Sequence, residues 1–177
     1  MRTSTRQAEM PVATSRREQT YVCRFGTGRL LTSGDVPLEV RLPDAGAEEL
    51  AVADAPSRWA RLLERYFAGE AVSFDLDVDA YAEAVGLTAF ERATYAALAQ
   101  IPRGSVVSYG DLATAAGSPR AYRAVGSAMA RNRLPVILPC HRVIRSDGDL
   151  GQYGDDPVWK ERLLTLEGVR LKGGRLA

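Results

Sequence analysis

The residues best suited to chemistry are Cys140 and His141, which stand side by side in the run Pro139-Cys140-His141-Arg142-Val143-Ile144. His141 is the only histidine among 177 residues, and Cys140 is one of two cysteines. A thiol reacts as its thiolate, which forms near neutral pH when a base or a positive charge lies beside it. The pair therefore suggests a cysteine nucleophile with an imidazole base. Because buried cysteines often act only as small apolar side chains, the surrounding sequence must decide.

Composition excludes several other kinds of site. Cys23 and Cys140 lie far apart in sequence and form no disulfide framework, which favours a reducing compartment. Two cysteines and one histidine fall short of the four ligands of a structural zinc site, so we expect no metal. The glycine spacing matches neither a dinucleotide fingerprint nor a phosphate loop, so we expect no bound cofactor. No apolar run reaches the length of a membrane span.

Charge is distributed unevenly along the chain. Residues 1–99 contain 11 Arg against 15 Asp and Glu, a net charge of −4, whereas residues 100–177 carry +5. The Cys-His pair thus lies in the positive half, as a polyanionic partner requires. Residues 1–18 lack the apolar segment of a secretory signal. We interpret them as a flexible leader, with a transit peptide left open.

The N-terminal half has the pattern of a small α/β domain. Short strands broken by glycine and proline are predicted at residues 20–24, 29–32 and 38–41. Trp59, Leu62, Leu63 and Tyr66 recur at helical spacing, which predicts an amphipathic helix ending before Gly69. Residues 72–78 alternate apolar and polar side chains, which is typical of a half-buried strand. We assign residues 19–84 to this domain and place a boundary near residues 79–86.

The C-terminal half is predicted to be mainly helical. Thr88 and Glu91 form a capping box that opens a helix ending at Pro102. Ser108 opens a short helix over residues 109–116, and Gly117 ends it. Ser118-Pro119 then begins another helix in the favoured cap and first-turn positions. Two short helices joined by a glycine-containing turn predict a helix-turn-helix, with a winged-helix-like character.

The second helix of this pair has two chemically different sides. The predicted core side carries Tyr122, Val125 and Met129. The opposite side is basic and polar, with Arg120, Arg123, Ser127 and Arg131. Ala121, Ala124 and Gly126 keep the helix slim. An isolated basic stripe is usually a solvated surface, but after such a turn it favours DNA contact.

The chain closes with a loop and a last helix. A glycine-punctuated loop carries Tyr153, and Asp156-Pro157 caps a helix with Trp159, Leu163 and Leu166 on one face, stopped by Gly168. We assign residues 87–171 to a C-terminal DNA-binding domain and residues 172–177 to a tail. The predicted fold class is therefore α/β, a small N-terminal α/β domain followed by a helical C-terminal domain.

Seven elements occur in order along residues 87–170. They are Ile101-Pro102-Arg103-Gly104, Val107-Ser108-Tyr109, Arg123-Ala124-Val125-Gly126, Asn132, the run from Pro139 to Ile144, Gly151-x-Tyr153, and Lys160-Glu161-x-Leu163-Leu164 ending in Glu167-Gly168. On these motifs the chain resembles the O6-alkylguanine-DNA alkyltransferases, also called methylated-DNA–protein-cysteine methyltransferases. The resemblance implies direct DNA repair, in which an alkyl group moves from O6-alkylguanine, and possibly O4-alkylthymine, to an internal cysteine in a single turnover.

The resemblance also implies residue roles. Cys140 is expected to be the acceptor nucleophile, and His141 to take its proton through a bridging water. Glu167 orients the imidazole, and Asn132 orders the turn that presents the cysteine. Tyr109 donates a hydrogen bond or a proton to guanine N3.

The implied DNA contacts lie on the second helix and around the alkyl pocket. Arg123 enters the base stack after the damaged nucleotide flips out, and the helix lies in the minor groove, which its small residues suit. The carbonyls of Cys140 and Val143 recognise the guanine edge, while Pro139, Tyr153 and Gly154 belong to the pocket. The expected partner is double-stranded DNA bound by a monomer, and the expected location is intracellular, cytoplasmic in a prokaryote or nuclear in a eukaryote.

One departure from the family pattern lies beside the pocket. Gly154-Asp155-Asp156 stands where Gly-Gly is frequent, and the added charge is expected to weaken DNA binding or to narrow the range of alkyl groups. Three other functions stay open. They are a non-catalytic binder of alkylated DNA, against which Cys140 itself argues, an alkylation-sensing regulator, and a cysteine hydrolase.

Overall fold

A three-stranded antiparallel sheet begins the described part of the chain. The computed structural model describes residues 15–47, 55–154, 156 and 158–177. The strands β1 (Arg16–Cys23), β2 (Gly26–Ser33) and β3 (Val36–Asp44) lie in sequence order. All three predicted strands are present, and each is longer than predicted. Since β1 begins at Arg16, the predicted leader over residues 1–18 is too long, and residues 1–14 of it lie outside the described residues.

Two helices follow the sheet. The predicted helix is α1 (Arg58–Phe67), capped by the Ser57 side chain, with Leu63 and Tyr66 buried. The strand predicted at residues 72–78 is wrong, because this segment pairs with no strand and Val78 already begins α2 (Val78–Val85). Its alternate apolar side chains do pack against the core. The alternation therefore reflects partial burial of every second side chain and not backbone pairing with a strand. The helix α2 lies where the domain boundary was predicted.

Capping boxes start the next helices where the sequence places them. Thr88 and Glu91 cap α3 (Ala89–Ala99) reciprocally. Ser108 and Asp111 do the same for α4 (Tyr109–Ala115), which directly follows the two-residue strand β4 (Val107–Ser108). Each box satisfies backbone N–H groups that a helix start leaves without partners.

The start of α5 (Tyr122–Ala130) differs from the prediction. Residues 118–120 form a turn, in which the Ala121 N–H donates to the Ser118 carbonyl, so the helix begins three residues after Pro119. Val125 and Met129 are buried as expected. Tyr122 is not in the core, because its side chain is 50% exposed at the first position of the helix.

The C-terminal segment returns to the earlier elements. A 3-10 helix (Cys140–Arg142) leads into β5 (Val143–Ile144), which pairs in parallel with β4. The last predicted helix is α6 (Val158–Leu166), with the Asp156 carboxylate accepting from the Val158 N–H. Asp155 and Pro157 lie outside the described residues. The predicted tail instead forms a small hairpin of β6 (Leu171–Lys172) and β7 (Arg175–Leu176).

One hydrophobic core runs through both halves of the chain. It includes Tyr21 and Leu63 from the first half and Val125 and Leu163 from the second. The Val40 N–H also donates to the Arg133 carbonyl at 2.8 Å. The described residues therefore form a mixed α/β fold of six α-helices and small sheets. None of these helices is both long and apolar enough to cross a membrane.

Candidate active site

The parallel pairing of β4 with β5 brings two predicted site residues together. Val107 pairs with Val143, and Ser108 pairs with Ile144. Since α4 starts directly after β4, Tyr109 leaves this short sheet beside the 3-10 helix that begins at Cys140. Both side chains line a cavity of about 880 Å³, hereafter the Cys140 cavity. Its volume lies within the range usual for small-ligand sites.

Asn132 fastens the turn that presents Cys140. Its Oδ1 accepts a hydrogen bond from the Leu134 N–H at 2.9 Å, and its Nδ2 donates to the Leu138 carbonyl at 2.8 Å. The same Nδ2 lies 3.0 Å from the Cys140 Sγ. Within this turn Val136 has a φ of 76°, a backbone conformation that β-branched residues rarely adopt. The side chain of Asn132 thus ties both ends of a strained turn to the sulfur atom.

The buried Glu167 carboxylate makes five hydrogen bonds to four residues, which together are called the Glu167 cluster below. They are the His141 Nε2 at 2.9 Å, the Arg142 Nε and Nη2 at 2.9 and 2.8 Å, the Tyr66 hydroxyl at 2.7 Å and the Gly104 N–H at 3.2 Å. Burial acts to raise the pKa of Glu167, but the bonds from His141 and Arg142 outweigh it and hold this pKa well below its usual value. The carboxylate is therefore ionised at neutral pH.

An ionised Glu167 fixes the hydrogen positions on His141. The carboxylate can only accept, so the Nε2 facing it must carry the hydrogen. Burial lowers the pKa of His141 and has a larger effect than Glu167, which acts to raise this pKa. The imidazole is therefore neutral. Its Nδ1 then has a free lone pair, and this buried atom has no hydrogen-bond partner among the described residues. The ring is held by one nitrogen and is able to accept a proton at the other.

The Cys140 thiol is protonated in the resting protein. Its residue is only 7% exposed, and burial raises the pKa of the thiol. Hydrogen bonds with Asn132 and Tyr153, whose hydroxyl lies 3.8 Å from Sγ, oppose this rise. The charge of Lys160 opposes it too. A thiol that is neutral at rest must lose its proton to a base as it reacts.

Aromatic hydroxyls line the Cys140 cavity. Tyr109 and Tyr153 are both lining residues, as is Gly154. Burial raises the pKa of Tyr109, so its hydroxyl stays protonated and can donate to a bound ring. Pro139 is buried directly before Cys140 and does not line the cavity.

The two carbonyls expected to recognise guanine already accept hydrogen bonds within the protein. The Lys160 Nζ donates to the Val143 carbonyl at 2.6 Å. The Val143 N–H donates to the Cys140 carbonyl. Because a carbonyl oxygen has two lone pairs, each retains capacity for a second donor.

The predicted DNA-contact residues lie on or beside α5, with their charged side chains exposed. Arg120 and Ala121 precede the helix, Arg123, Ala124 and Ser127 lie on it, and Gly126 lines the Cys140 cavity. Arg131 follows the last helical residue and pairs with Glu91 at 2.8 Å, so its charge is partly committed to α3. Arg123 lies with its guanidinium carbon 5.7 Å from the centre of the exposed Tyr122 ring.

Sequence reasoning assigned no role to three residues that build this site, Tyr66, Arg142 and Lys160. For Lys160 a signal existed, since Leu163 and Leu164 follow it at spacings of three and four on the buried face of α6, and Glu167 follows at a spacing of seven, directly after the helix. Arg142 lies inside the motif that runs from Pro139 to Ile144. For Tyr66 no local pattern could indicate a contact with a residue 101 positions away.

Comparison with known proteins places this arrangement in a family. The family model for "6-O-methylguanine DNA methyltransferase, DNA binding domain" matches residues 89–169. A methylated-DNA–protein-cysteine methyltransferase of Methanosarcina barkeri is 46% identical over 113 residues, 64% of this chain and 68% of the relative. One from Methanopyrus kandleri is 41% identical over 132 residues, 75% of this chain and 95% of the relative.

Solved structures agree with the sequence relatives. The Mycobacterium tuberculosis O6-methylguanine methyltransferase aligns with 90% of this chain and 96% of its own, at a TM-score of 0.67 and 32% identity. The complex of the M. tuberculosis protein with DNA gives 85% and 92%, a TM-score of 0.68 and 33% identity. The described fold and the sequence relatives thus agree, and this chain belongs to the methylated-DNA–protein-cysteine methyltransferase family.

Proposed function

We propose that this protein repairs DNA by moving the alkyl group of O6-alkylguanine onto the Cys140 sulfur. The observation that carries the proposal is the position of Cys140. Its thiol lines a cavity of about 880 Å³, which is large enough to hold a nucleobase, and the neighbouring imidazole is held by an ionised carboxylate. A soft sulfur nucleophile suits an alkyl carbon bonded to oxygen, which is an electrophile open to in-line attack.

His141 takes the thiol proton in this proposal. Its Nδ1 is the atom with a free lone pair, and a buried polar atom without a protein partner normally binds ordered water. A water between Nδ1 and Sγ would pass the proton from the thiol to the imidazole as the alkyl carbon approaches. Glu167 then stabilises the imidazolium through the bond to Nε2.

Tyr109 assists departure of the guanine. One bond forms between Sγ and the alkyl carbon, and the bond from that carbon to O6 breaks, leaving its electron pair on the purine. A ring that gains this charge leaves more readily when a donor neutralises it. The protonated hydroxyl of Tyr109 at the cavity wall supports this role at guanine N3.

Access to the base requires flipping, since the alkyl group is out of reach inside a duplex. We propose that α4 and α5 act as a helix-turn-helix of the C-terminal domain, with α5 in the minor groove. The exposed Arg123 fills the gap left by the nucleotide, and Gly126 lets DNA approach the cavity mouth. The exposed Arg120, just before α5, supports a contact with phosphates.

The product is a thioether, which water does not cleave. Each protein molecule therefore acts once, and alkylated Cys140 is the end state.

Mass mapping of the protein after incubation with an O6-methylguanine duplex tests the proposal. Transfer adds one methyl group to the peptide containing Cys140 and restores guanine in the DNA. A Cys140→Ala variant should bind the duplex and leave it methylated. An unmodified Cys140 with intact O6-methylguanine would instead identify a non-catalytic binder, and modification of Cys23 would identify a different acceptor.

A further inference from the structure

A tyrosine from the N-terminal half reaches the centre of the Glu167 cluster. Tyr66 lies on α1 and is 1% exposed. Its hydroxyl donates to the Glu167 Oε1 at 2.7 Å, and the Tyr66 hydroxyl oxygen lies 3.4 Å from the His141 Nε2. Among the described residues, Tyr66 is the member of the cluster that comes from the N-terminal half.

Packing fixes the ring that carries this hydroxyl. The Phe67 ring lies nearly perpendicular to it and the Phe74 ring is tilted against it, with ring centres 5.4 and 6.1 Å away. Arg103 lies over the ring at 5.3 Å and donates to the Leu166 carbonyl at 2.7 Å, one residue before Glu167. A buried ring held in this way loses little further freedom when its hydroxyl bonds to the carboxylate.

Proton counting shows how the hydroxyl acts on both neighbours. A phenol has one hydrogen, and the shorter contact assigns it to the Glu167 Oε1. Burial and the adjacent carboxylate raise the pKa of Tyr66, so this hydrogen is retained. The phenol oxygen then presents a lone pair towards the His141 Nε2–H, which becomes shared between Glu167 and Tyr66. When the imidazole accepts a proton from the thiol, two oxygen atoms stabilise the charged ring.

We infer that Tyr66 is a positioning residue of the alkyl-transfer reaction, which holds Glu167 and the His141 ring in the geometry that lets Nδ1 accept the Cys140 proton. The inference rests on the proposed function. It also gives the N-terminal half a part in the chemistry, because α1 brings this hydroxyl to the Glu167 cluster, whose other described members belong to the second half.

A Tyr66→Phe variant tests the inference through the pH dependence of the reaction. The ring and its packing remain, while the hydroxyl that holds the relay is lost. We expect transfer from an O6-methylguanine duplex to slow about tenfold near pH 7, the size of one hydrogen bond to a charged group. The deficit should shrink as pH rises, because hydroxide then deprotonates the thiol without the imidazole.

Other titratable and charged groups face the relay and stay unchanged in this variant. Those around Glu167 and His141 are Arg103, Arg142 and Lys160, and those near the thiol are Tyr95, Tyr109 and Tyr153. A shift in the pH profile on changing Tyr66 is therefore assigned to its hydroxyl.

A matched control separates positioning from general stability. Tyr21 is another fully buried tyrosine of the N-terminal half, and its hydroxyl donates to the Arg41 carbonyl at 2.8 Å. Tyr21→Phe should lose similar thermal stability and keep the wild-type pH profile. If Tyr66→Phe slows the reaction equally at every pH, or behaves as Tyr21→Phe does, the inference is overturned.

Iodoacetamide provides a second probe that does not depend on DNA. It alkylates the thiolate and releases iodide, and peptide mapping separates Cys140 from Cys23. The Tyr66→Phe variant should again react more slowly near pH 7 and recover at high pH. If wild-type protein fails to take methyl from DNA, the proposed function fails, whereas an unchanged iodoacetamide profile in Tyr66→Phe refutes the role of Tyr66 alone.

Discussion

At the scale of single residues, the site depends on different roles for the Glu167 carboxylate and the His141 imidazole. Glu167 is buried, but the five hydrogen bonds that it accepts stabilise its negative charge well enough to keep the carboxylate ionised. His141 is buried beside it and stays neutral. The carboxylate thus orients the ring and leaves the proton-accepting role to Nδ1. A buried charge of this kind is costly if its partners are removed.

Replacement of Glu167 by Gln should destabilise the protein in a pH-dependent way. We expect a loss of about 3 kcal/mol at neutral pH, because Arg142 loses its charged partner in a buried site. The pKa of Glu167 is lowered by folding, so its contribution is full above the usual value of 4.5 and declines as pH falls below it. Denaturant unfolding of both proteins from pH 7 to 3 measures the difference. A difference that stays constant over this range would contradict the ionised state of Glu167.

Lys160 predicts a pH dependence of the same sign in a higher pH range. Burial lowers the pKa of Lys160 from 10.5 to about 8. Between these values the unfolded chain holds a proton that the folded protein has released, so stability contributed by this residue rises with pH. Lys160→Met should remove a rise of about 3 kcal/mol between pH 8 and 10.5. The same unfolding measurements on Lys172→Met, at the exposed second lysine of the chain, should retain the rise.

At the scale of elements, a two-residue strand and a helix cap position the proposed proton donor. The pairing of β4 with β5 sets the start of α4 beside Cys140, and the Ser108–Asp111 box fixes where that start lies. The Ser108 Oγ accepts from the Asp111 N–H at 3.1 Å and donates to its carboxylate at 2.7 Å. Tyr109 is the first helical residue after this cap.

Ser108→Ala should therefore affect both stability and reaction rate. Loss of the cap should cost about 1 kcal/mol in the free energy of unfolding. Transfer should also slow, because fraying of the first turn of α4 releases Tyr109 from the cavity wall. Thr88→Ala removes the equivalent cap of α3 and should cost similar stability with no effect on transfer. Equal transfer rates in the two variants would show that the α4 cap does not position Tyr109.

Local sequence signals predicted the helices and strands well where the residues that determine an element lie within the element itself. The Thr88–Glu91 capping box, the helix start at Ser108, the three strands and the helix containing Trp59 are present. The pattern at residues 72–78 misled, because alternating burial does not require a neighbouring strand. The predicted start of α5 was also wrong, because Ser118-Pro119 forms a turn. The N-cap position of the helix is Ala121, which has no side chain that can cap it. Tyr122 at that first turn consequently faces outward.

Contacts between distant segments set the limit of sequence reasoning about the site. The motif around Cys140 and His141 predicted the nucleophile and its neighbour, and the structure brings Glu167 and Asn132 to them. The Tyr66 contact arises from how α1 packs on the C-terminal half, which no local pattern encodes. The roles of Cys140, His141, Glu167, Asn132 and Tyr109 in the reaction stay predictions.

At the scale of the whole molecule, the two halves share a hydrophobic core but carry net charges of opposite sign. The core continues from the three-stranded sheet into α3, α5 and α6. The positive half supplies most of the lining of the Cys140 cavity and the exposed arginines on and beside α5, as expected for a surface that meets DNA. DNA binding should therefore be sensitive to salt and largely independent of sequence.

Arg123→Ala should separate flipping from chemistry. In a duplex, the arginine stabilises the gap that the nucleotide leaves, so the variant should transfer methyl at least about tenfold more slowly. A single-stranded oligonucleotide has no stack to refill, and its rate should change little. Rapid-quench transfer assays on both substrates measure the two rates, with Arg61→Ala on α1 as an exposed control. An equal loss on both substrates would contradict the proposed role of Arg123 in flipping.

The most direct test of alkyl transfer to Cys140 is a titration of the protein with excess O6-methylguanine duplex, followed by intact mass measurement. The account predicts that methyl transfer stops at one group per protein molecule, that each molecule gains the mass of one CH₂ unit, and that peptide mapping locates it on Cys140. Continued repair beyond one methyl group per molecule, or a completed reaction that leaves Cys140 unmodified, would contradict it.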